Sequence, residues 1–344
     1  MNYHLDAAHL ELRFRIRVML KWRIREIVKQ LVNIAWVCMP KGIQTKVQEK
    51  HAAKAAEREM EIYASNDVTE QDVAEAFAAL GIEGDVIVHS SLIHIGNIKG
   101  KHKPIVKALQ EHVLDKGNTV LAIGIPVKGS TEEWLRSITR FDKDAPIAMG
   151  VISTYYAKQE GACRSLNPTH SVVAYGPLAE EYTDEHHLDK TPFTEKSPYY
   201  KLLERNGGVL MVGAGIKHLT LAHIVEDMLG DLYPQRVYGR KEYPVDIYRG
   251  EECIYHGTYM AHSRWSGVLR VSDYVHSRIK ALPSTKVVKL GGAEVLYINA
   301  RDAVICELEE LKKGNSIYGY RRINKECRER IDYWIERIKG MKVE

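Results

Sequence analysis

Short apolar runs constrain this chain more than any other feature: Asp85-Val86-Ile87-Val88-His89, Thr119 to Ile125, Val172 to Tyr175 and Val209-Leu210-Met211-Val212. Each has strand length and is rich in β-branched residues. The first is followed, after a Gly-containing loop, by helical spacing from Pro104 to Val113. A strand, loop, helix order of this kind pairs strands in parallel and places helices on the faces of the sheet. Beyond Pro234, the alternation from Tyr243 to Val271 points to antiparallel strands, and 299–313 and 325–338 read as closing helices. The expected fold class is α/β: a central mixed, largely parallel sheet flanked by helices, with an antiparallel β portion in the C-terminal half and a helical N-terminal extension.

The extension reads as residues 1–65 and the catalytic body as 66–344. From Leu10 to Cys38, Arg13, Arg15, Arg17, Lys21, Arg23, Arg25 and Lys29 interleave with apolar residues, which a cleavable signal would not do. A Met39-Pro40-Lys41-Gly42 break and an Ala, Lys and Glu-rich run to Tyr63 predict a second helix. Next, Asp67-Val68-Thr69-Glu70 offers an N-cap for a helix to Leu80, with Gly81 as its C-cap. The first 60 residues hold 12 Lys or Arg against 6 Asp or Glu, so the net +4 of the chain leaves the body slightly negative. That balance excludes nucleic-acid binding by the body. The basic arm, residues 10–38, is suited to an anionic membrane surface or to a protein partner. Five scattered cysteines without CxxC pairs, and no apolar stretch of membrane-spanning length, point to a reducing cytoplasm.

Three constellations carry chemistry. Thr220-x-x-His223-x-x-Glu226 follows a strand closed by Gly213-Ala214-Gly215, and i, i+3 spacing puts its members on one helix face near the sheet edge where α/β proteins bind ligands. A histidine there can take a proton near neutral pH with a carboxylate to orient it, although a purely structural histidine shows the same spacing. Arg164-Ser165-Leu166-Asn167-Pro168-Thr169-His170-Ser171 is a turn that either caps itself or presents polar groups to a cleft. His89-Ser90-Ser91-Leu92, with Gly96, Lys99 and Gly100 after it, offers hydroxyls and backbone N–H groups to a phosphate or pantetheine.

Together, in this order and with Phe141 to Pro146 and Met149-Gly150 between them, these motifs resemble the aminoglycoside 3-N-acetyltransferases, antibiotic N-acetyltransferases that use acetyl-CoA. The resemblance covers about residues 67 to 315. It implies acetyl transfer, of the antibiotic-resistance type, from acetyl-CoA to an amino group of an aminoglycoside or amino sugar, with His223 as general base and no metal. It further implies that Glu226 or Asp273 supports His223. Ser90, Ser91, Leu92, Gly96, Lys99, Gly100, Asn167 and Ser171 would face the cofactor, and His170, His187 and Lys217 the substrate. Lys217 stands where many family members carry an aspartate, so an amino sugar bearing phosphate or carboxylate would suit this chain better than a polycation. The expected partners are a small-molecule amine and a second copy of the chain. The rival readings are an acyl-enzyme through Cys163, and a scaffold of the same fold that works through its basic arm.

Overall fold

The computed structural model describes residues 3–127 and 129–342, with side chains from Met19 onward, so the side chains of Arg13, Arg15 and Arg17 lie outside the described residues. Seven strands form the central sheet in the order Lys286–Leu290, Ala293–Asn299, Gly208–Val212, Val86–Ser90, Val120–Ile123, Val172–Tyr175 and Cys163–Arg164. Val86–Ser90 is parallel to both its neighbours, and the other adjacent pairs run antiparallel. The sheet is therefore mixed, as expected, but it is not largely parallel: its parallel part is confined to the three middle strands. A strand buried on both faces reads as a continuous apolar run whichever way its neighbour points, so the runs alone do not fix direction. Alternation along these strands divides the core. Ile87, Leu121, Val209 and Met211 pack on one face, while Val86, Val88, Val120, Leu210 and Val212 pack on the other. Each large aliphatic side chain so buried contributes roughly 1.5–3 kcal/mol.

Local chemistry sets the element ends. The helix Glu70–Leu80 starts with a capping box between Thr69 and Asp72 and stops at Gly81, whose φ of 57° suits a residue without a Cβ. A long hairpin, Tyr238–Arg249 with Glu252–His262, carries Arg140–Phe141 on its edge and has its own small core around Phe141, Tyr243 and Tyr259. Its ladder is irregular between Met260 and His262, a break of the kind that re-aims a side chain.

Two helices precede the sheet: α1 (Tyr3–Cys38) and α2 (Lys41–Ser65), parted at Met39-Pro40. α1 is fastened to the body by polar bonds. Gln30 Nε2 donates to the carbonyls of Leu269 and Tyr318, at 2.9 and 2.7 Å, and Asn33 Nδ2 donates to that of Val268 at 2.9 Å. Trp22 meets the Tyr274 ring edge-on, and Arg23 lies over Tyr320. Elsewhere on α1, Leu20, Ile24, Ile27, Val28, Leu31 and Val32 are exposed. Among the described residues no helix is long and apolar enough to cross a membrane.

Candidate active site

The strand Gly208–Val212 ends at Gly213, where φ is 67° and a Cβ would stand 2.6 Å from the Ser91 carbonyl. Only glycine lets these two strand ends close so tightly. The chain then winds through short 3₁₀ turns to His223, which directly precedes the helix Ile224–Leu229. His223 Nδ1 lies 2.7 Å from Glu226 Oε1, and Arg270 donates an N–H to Nε2 at 3.0 Å. A guanidinium can only donate, so Nε2 carries the lone pair and the imidazole proton sits on Nδ1, pointed at Glu226. Glu226 also accepts from Tyr318 Oη at 2.6 Å and from His262 Nε2 at 3.2 Å. Phe193 stacks on the His223 ring, with centroids 5.4 Å apart.

Burial, opposed by Glu226 and reinforced by Arg270 and His262, lowers His223 to about 4, so its imidazole is neutral at physiological pH. Burial works to raise Glu226, but His223 and His262 outweigh it and hold the group as a carboxylate below its usual range. His223, Glu226 and His262 bring potential ligand atoms within 4.8 Å of one another, a set able to hold a cation. These atoms already bond one another, and a guanidinium adjoins His223, an arrangement better suited to moving a proton than to holding a metal.

Two clefts meet at His223, and Arg270 and His170 line both. The sheet-edge cleft, about 500 Å³, is walled by His89, Ser90, Ser91, Gly150, Lys217 and Thr220. The hairpin cleft, about 650 Å³, opens on the other side between the 129–136 segment, the end of the hairpin and the start of α2. Its charged wall consists of Lys41, Glu132, Glu133, Arg136, Arg264 and Arg270.

Several sequence expectations take different positions. Lys217 lines the sheet-edge cleft rather than the hairpin cleft. Asn167 and Ser171, expected to face the cofactor, are fully buried and turned into their own loop. Asn167 Oδ1 accepts from Thr169 and His170, and Ser171 Oγ bonds Arg164 and the Gly124 carbonyl. The partly buried Arg164 guanidinium, lowered to about 10 by burial, also ties the Ala145 and Pro146 carbonyls, so the turn is an internal brace. Leu92, Gly96, Lys99 and Gly100 line neither cleft. Gly96 packs against Asn66 because a Cβ there would meet its carbonyl, and Lys99 N bonds the Val68 carbonyl. His187 is buried against Tyr255, its carbonyl accepting from Tyr259. Asp273 is paired with Lys29 of α1, so Glu226 is the acid at His223. Burial and Glu180 raise the Cys163 thiol, which lines neither cleft, leaving the acyl-enzyme route without an activated nucleophile. Sequence reading missed Arg270, His262, Tyr318, Lys41 and Arg264.

The mixed α/β fold that carries these clefts is shared with proteins of known structure. The chain belongs to the aminoglycoside 3-N-acetyltransferase family, whose model matches residues 87–312. Aminoglycoside N(3)-acetyltransferase III of Salmonella sp is 32% identical over 173 residues, covering 46% of this chain and 60% of that protein. The chain thus spans about three fifths of the length of these curated relatives. Among solved structures, the YokD protein from Bacillus subtilis is similar at 25% identity with a TM-score of 0.59, over 72% of this chain and 95% of that one. The structure "AAC-IIIb binary with CoASH" is similar at 26% identity with a TM-score of 0.56, over 72% and 97%. α1 and α2 precede the family match.

Proposed function

We propose that the protein transfers an acetyl group from acetyl-CoA to an amino group of an aminoglycoside or amino-sugar acceptor, with His223 as general base and Glu226 as its support. The observation that carries this reading is a neutral imidazole, its tautomer fixed by Glu226 and Arg270, at the meeting point of two clefts. Family membership supports acetyl transfer, and a similar protein has been solved with CoASH. The sheet-edge cleft is the donor side, where Ser90, Ser91 and Lys217 offer hydroxyl, backbone and ammonium groups to the cofactor. The hairpin cleft is the acceptor side.

In the proposed reaction Nε2 takes a proton from the acceptor amine as its nitrogen attacks the thioester carbonyl. The Ser90 and Thr220 hydroxyls, which line the donor side, offer hydrogen bonds to the oxyanion. Collapse of the tetrahedral species breaks the C–S bond, and the coenzyme A thiolate takes the proton back from Nε2. Glu226 stabilises the imidazolium between the two transfers.

The test is thiol release from acetyl-CoA across aminoglycosides and amino sugars, paired with calorimetric binding of coenzyme A. His223→Ala should lower kcat ~10²–10⁴-fold and leave coenzyme A affinity intact. Wild-type turnover in that variant overturns the assignment of the base. The scaffold reading expects neither thiol release nor coenzyme A binding. The exposed apolar residues of α1 support a second proposal, that the arm meets an anionic membrane or a second subunit. Ile24→Asp with Leu31→Asp should then abolish liposome sedimentation or self-association of the full chain. A variant pair that behaves as wild type in both assays removes that proposal.

A further inference from the structure

The acceptor side is electrically unusual for a site that handles polyamines. Four basic side chains, Lys41, Arg136, Arg264 and Arg270, line it against two acids, Glu132 and Glu133. Arg136 is taken by Glu132, which also accepts from the Tyr243 hydroxyl. Lys41, Arg264 and Arg270 make no ion pair among the described residues, so the cleft keeps an excess of positive charge. Such a wall repels a polycation and concentrates an anion.

The position of Arg270 carries the argument further. Its guanidinium donates into the lone pair of His223 Nε2, the pair that must receive the amine proton. While that bond stands, the base is capped. Arg270 lies at the meeting of the two clefts, and guanidinium prefers a phosphate or carboxylate, which it can bind through two N–H groups, to a single imidazole nitrogen. The backbone on either side of this cluster is held by α1, since Gln30 ties Leu269 and Tyr318 while Asn33 ties Val268. Lys41, the first residue of α2, adds a charge to the same wall. The helices that precede the family match thus help build the acceptor site.

Resting on the transferase reading above, we propose that the acceptor is an amino sugar bearing an anionic group, phosphate or carboxylate, and that this group draws Arg270 off His223 so that Nε2 is free to accept the amine proton. Arg270 then acts as a specificity residue that links recognition of the acceptor's charge to release of the base. A neutral amine leaves the cap in place, and a polycation is repelled by it.

The test compares kcat/KM for four acceptors, glucosamine, glucosamine 6-phosphate, muramic acid and kanamycin, with wild type, Arg270→Gln and the exposed-residue pair Lys41→Glu with Arg264→Glu. Charge-assisted hydrogen bonds of this kind correspond to roughly 10- to 100-fold, which is the preference expected in wild type for one or both anionic sugars over glucosamine. The two anionic probes separate a phosphate site from a carboxylate site. In Arg270→Gln the preference should fall to within about threefold, and kcat for glucosamine should rise because the base is uncovered, a change that a merely structural role would not produce. The surface pair should lower the preference about fivefold without touching the cap. Coenzyme A affinity should be unchanged in the surface pair, whose residues line the hairpin cleft alone. Equal or faster turnover of kanamycin or glucosamine in wild type overturns the proposal and leaves the transferase reading standing. So does an Arg270→Gln enzyme that keeps its preference. Absence of turnover with every acceptor, together with no coenzyme A binding, overturns both, and coenzyme A binding without turnover of either anionic sugar overturns the proposal alone.

Discussion

On the proposed donor side of His223 the wall is made of strand ends and tight turns: Ser90 and Ser91 close one strand, Gly213 locks the next, and a Cβ on Gly150 would stand 3.1 Å from the Ser90 hydroxyl. Across the ring, on the proposed acceptor side, the wall is made of long charged side chains from a loop, the end of a hairpin and the start of a helix outside the family match. The first wall is fixed by backbone that the sheet holds in place. The second can change its charges without disturbing a strand. On the proposed reading, a fold divided in this way keeps one co-substrate constant and lets the other vary, with the His223 and Glu226 pair as the part both sides share.

Short of removing His223 itself, taking the charge from Glu226 should give the largest effect. Glu226 is the group that supports His223 against burial, and it fixes the Nδ1 proton. Glu226→Gln keeps the shape but gives up the negative charge, so the imidazole becomes a poorer base and its tautomer is less well held. The expected loss in kcat is ~10–10²-fold, with coenzyme A affinity and acceptor KM little changed. Steady-state kinetics with both co-substrates checks this. A rise in one KM at constant kcat would show that Glu226 belongs to one wall rather than to the pair.

What could be read beforehand follows the same division. The capping box at Thr69, the stop at Gly81 and the His223 to Glu226 spacing are local, because each partner lies within four residues of the other. Arg270, His262 and Tyr318 reach the site from 47, 36 and 92 residues away along the chain, and nothing near them in sequence marks them. Asn167 and Ser171 mislead for a different reason. A polar turn that satisfies itself and one that faces a ligand have the same composition, and only the placement of Arg164 and Gly124 decides between them. Sheet direction was similarly hidden, since Val172–Tyr175 is as apolar as its parallel-paired counterparts.

The two sides should also differ under acid. His89, in the sheet-edge cleft, is buried with no partner for Nε2, and burial, with His218 second, lowers it to about 3. A histidine whose folded value lies below its unfolded one, near 6.5, leaves stability untouched above that pH and costs stability as pH falls, because only the unfolded chain takes the proton. Over the window from about 6.5 down to about 3 the cost at this residue grows, reaching about 2 kcal/mol by pH 5. His89→Asn should therefore flatten the loss of unfolding free energy between pH 7 and pH 5, measured by denaturant titration. An unchanged slope would place the acid sensitivity elsewhere, with the other buried histidines.

The smallest expected effect is confined to one wall. Gly150 has φ 70°, a conformation that already disfavours a side chain, and its missing Cβ leaves the Ser90 hydroxyl open to the sheet-edge cleft. Gly150→Val would place branched carbon against Ser90 Oγ at the edge of the space proposed for the pantetheine arm. The KM for acetyl-CoA should rise roughly tenfold, as expected when one well-placed polar contact is lost, while the acceptor KM holds within about twofold. Because a left-handed position also costs stability when substituted, Gly150→Ala is the control: it carries most of the backbone strain and less of the bulk. If both variants raise the acetyl-CoA KM equally, the effect belongs to the backbone. If valine alone does so, it comes from filling the cleft, and a parallel rise in acceptor KM would mean that the two sides of His223 are not separate.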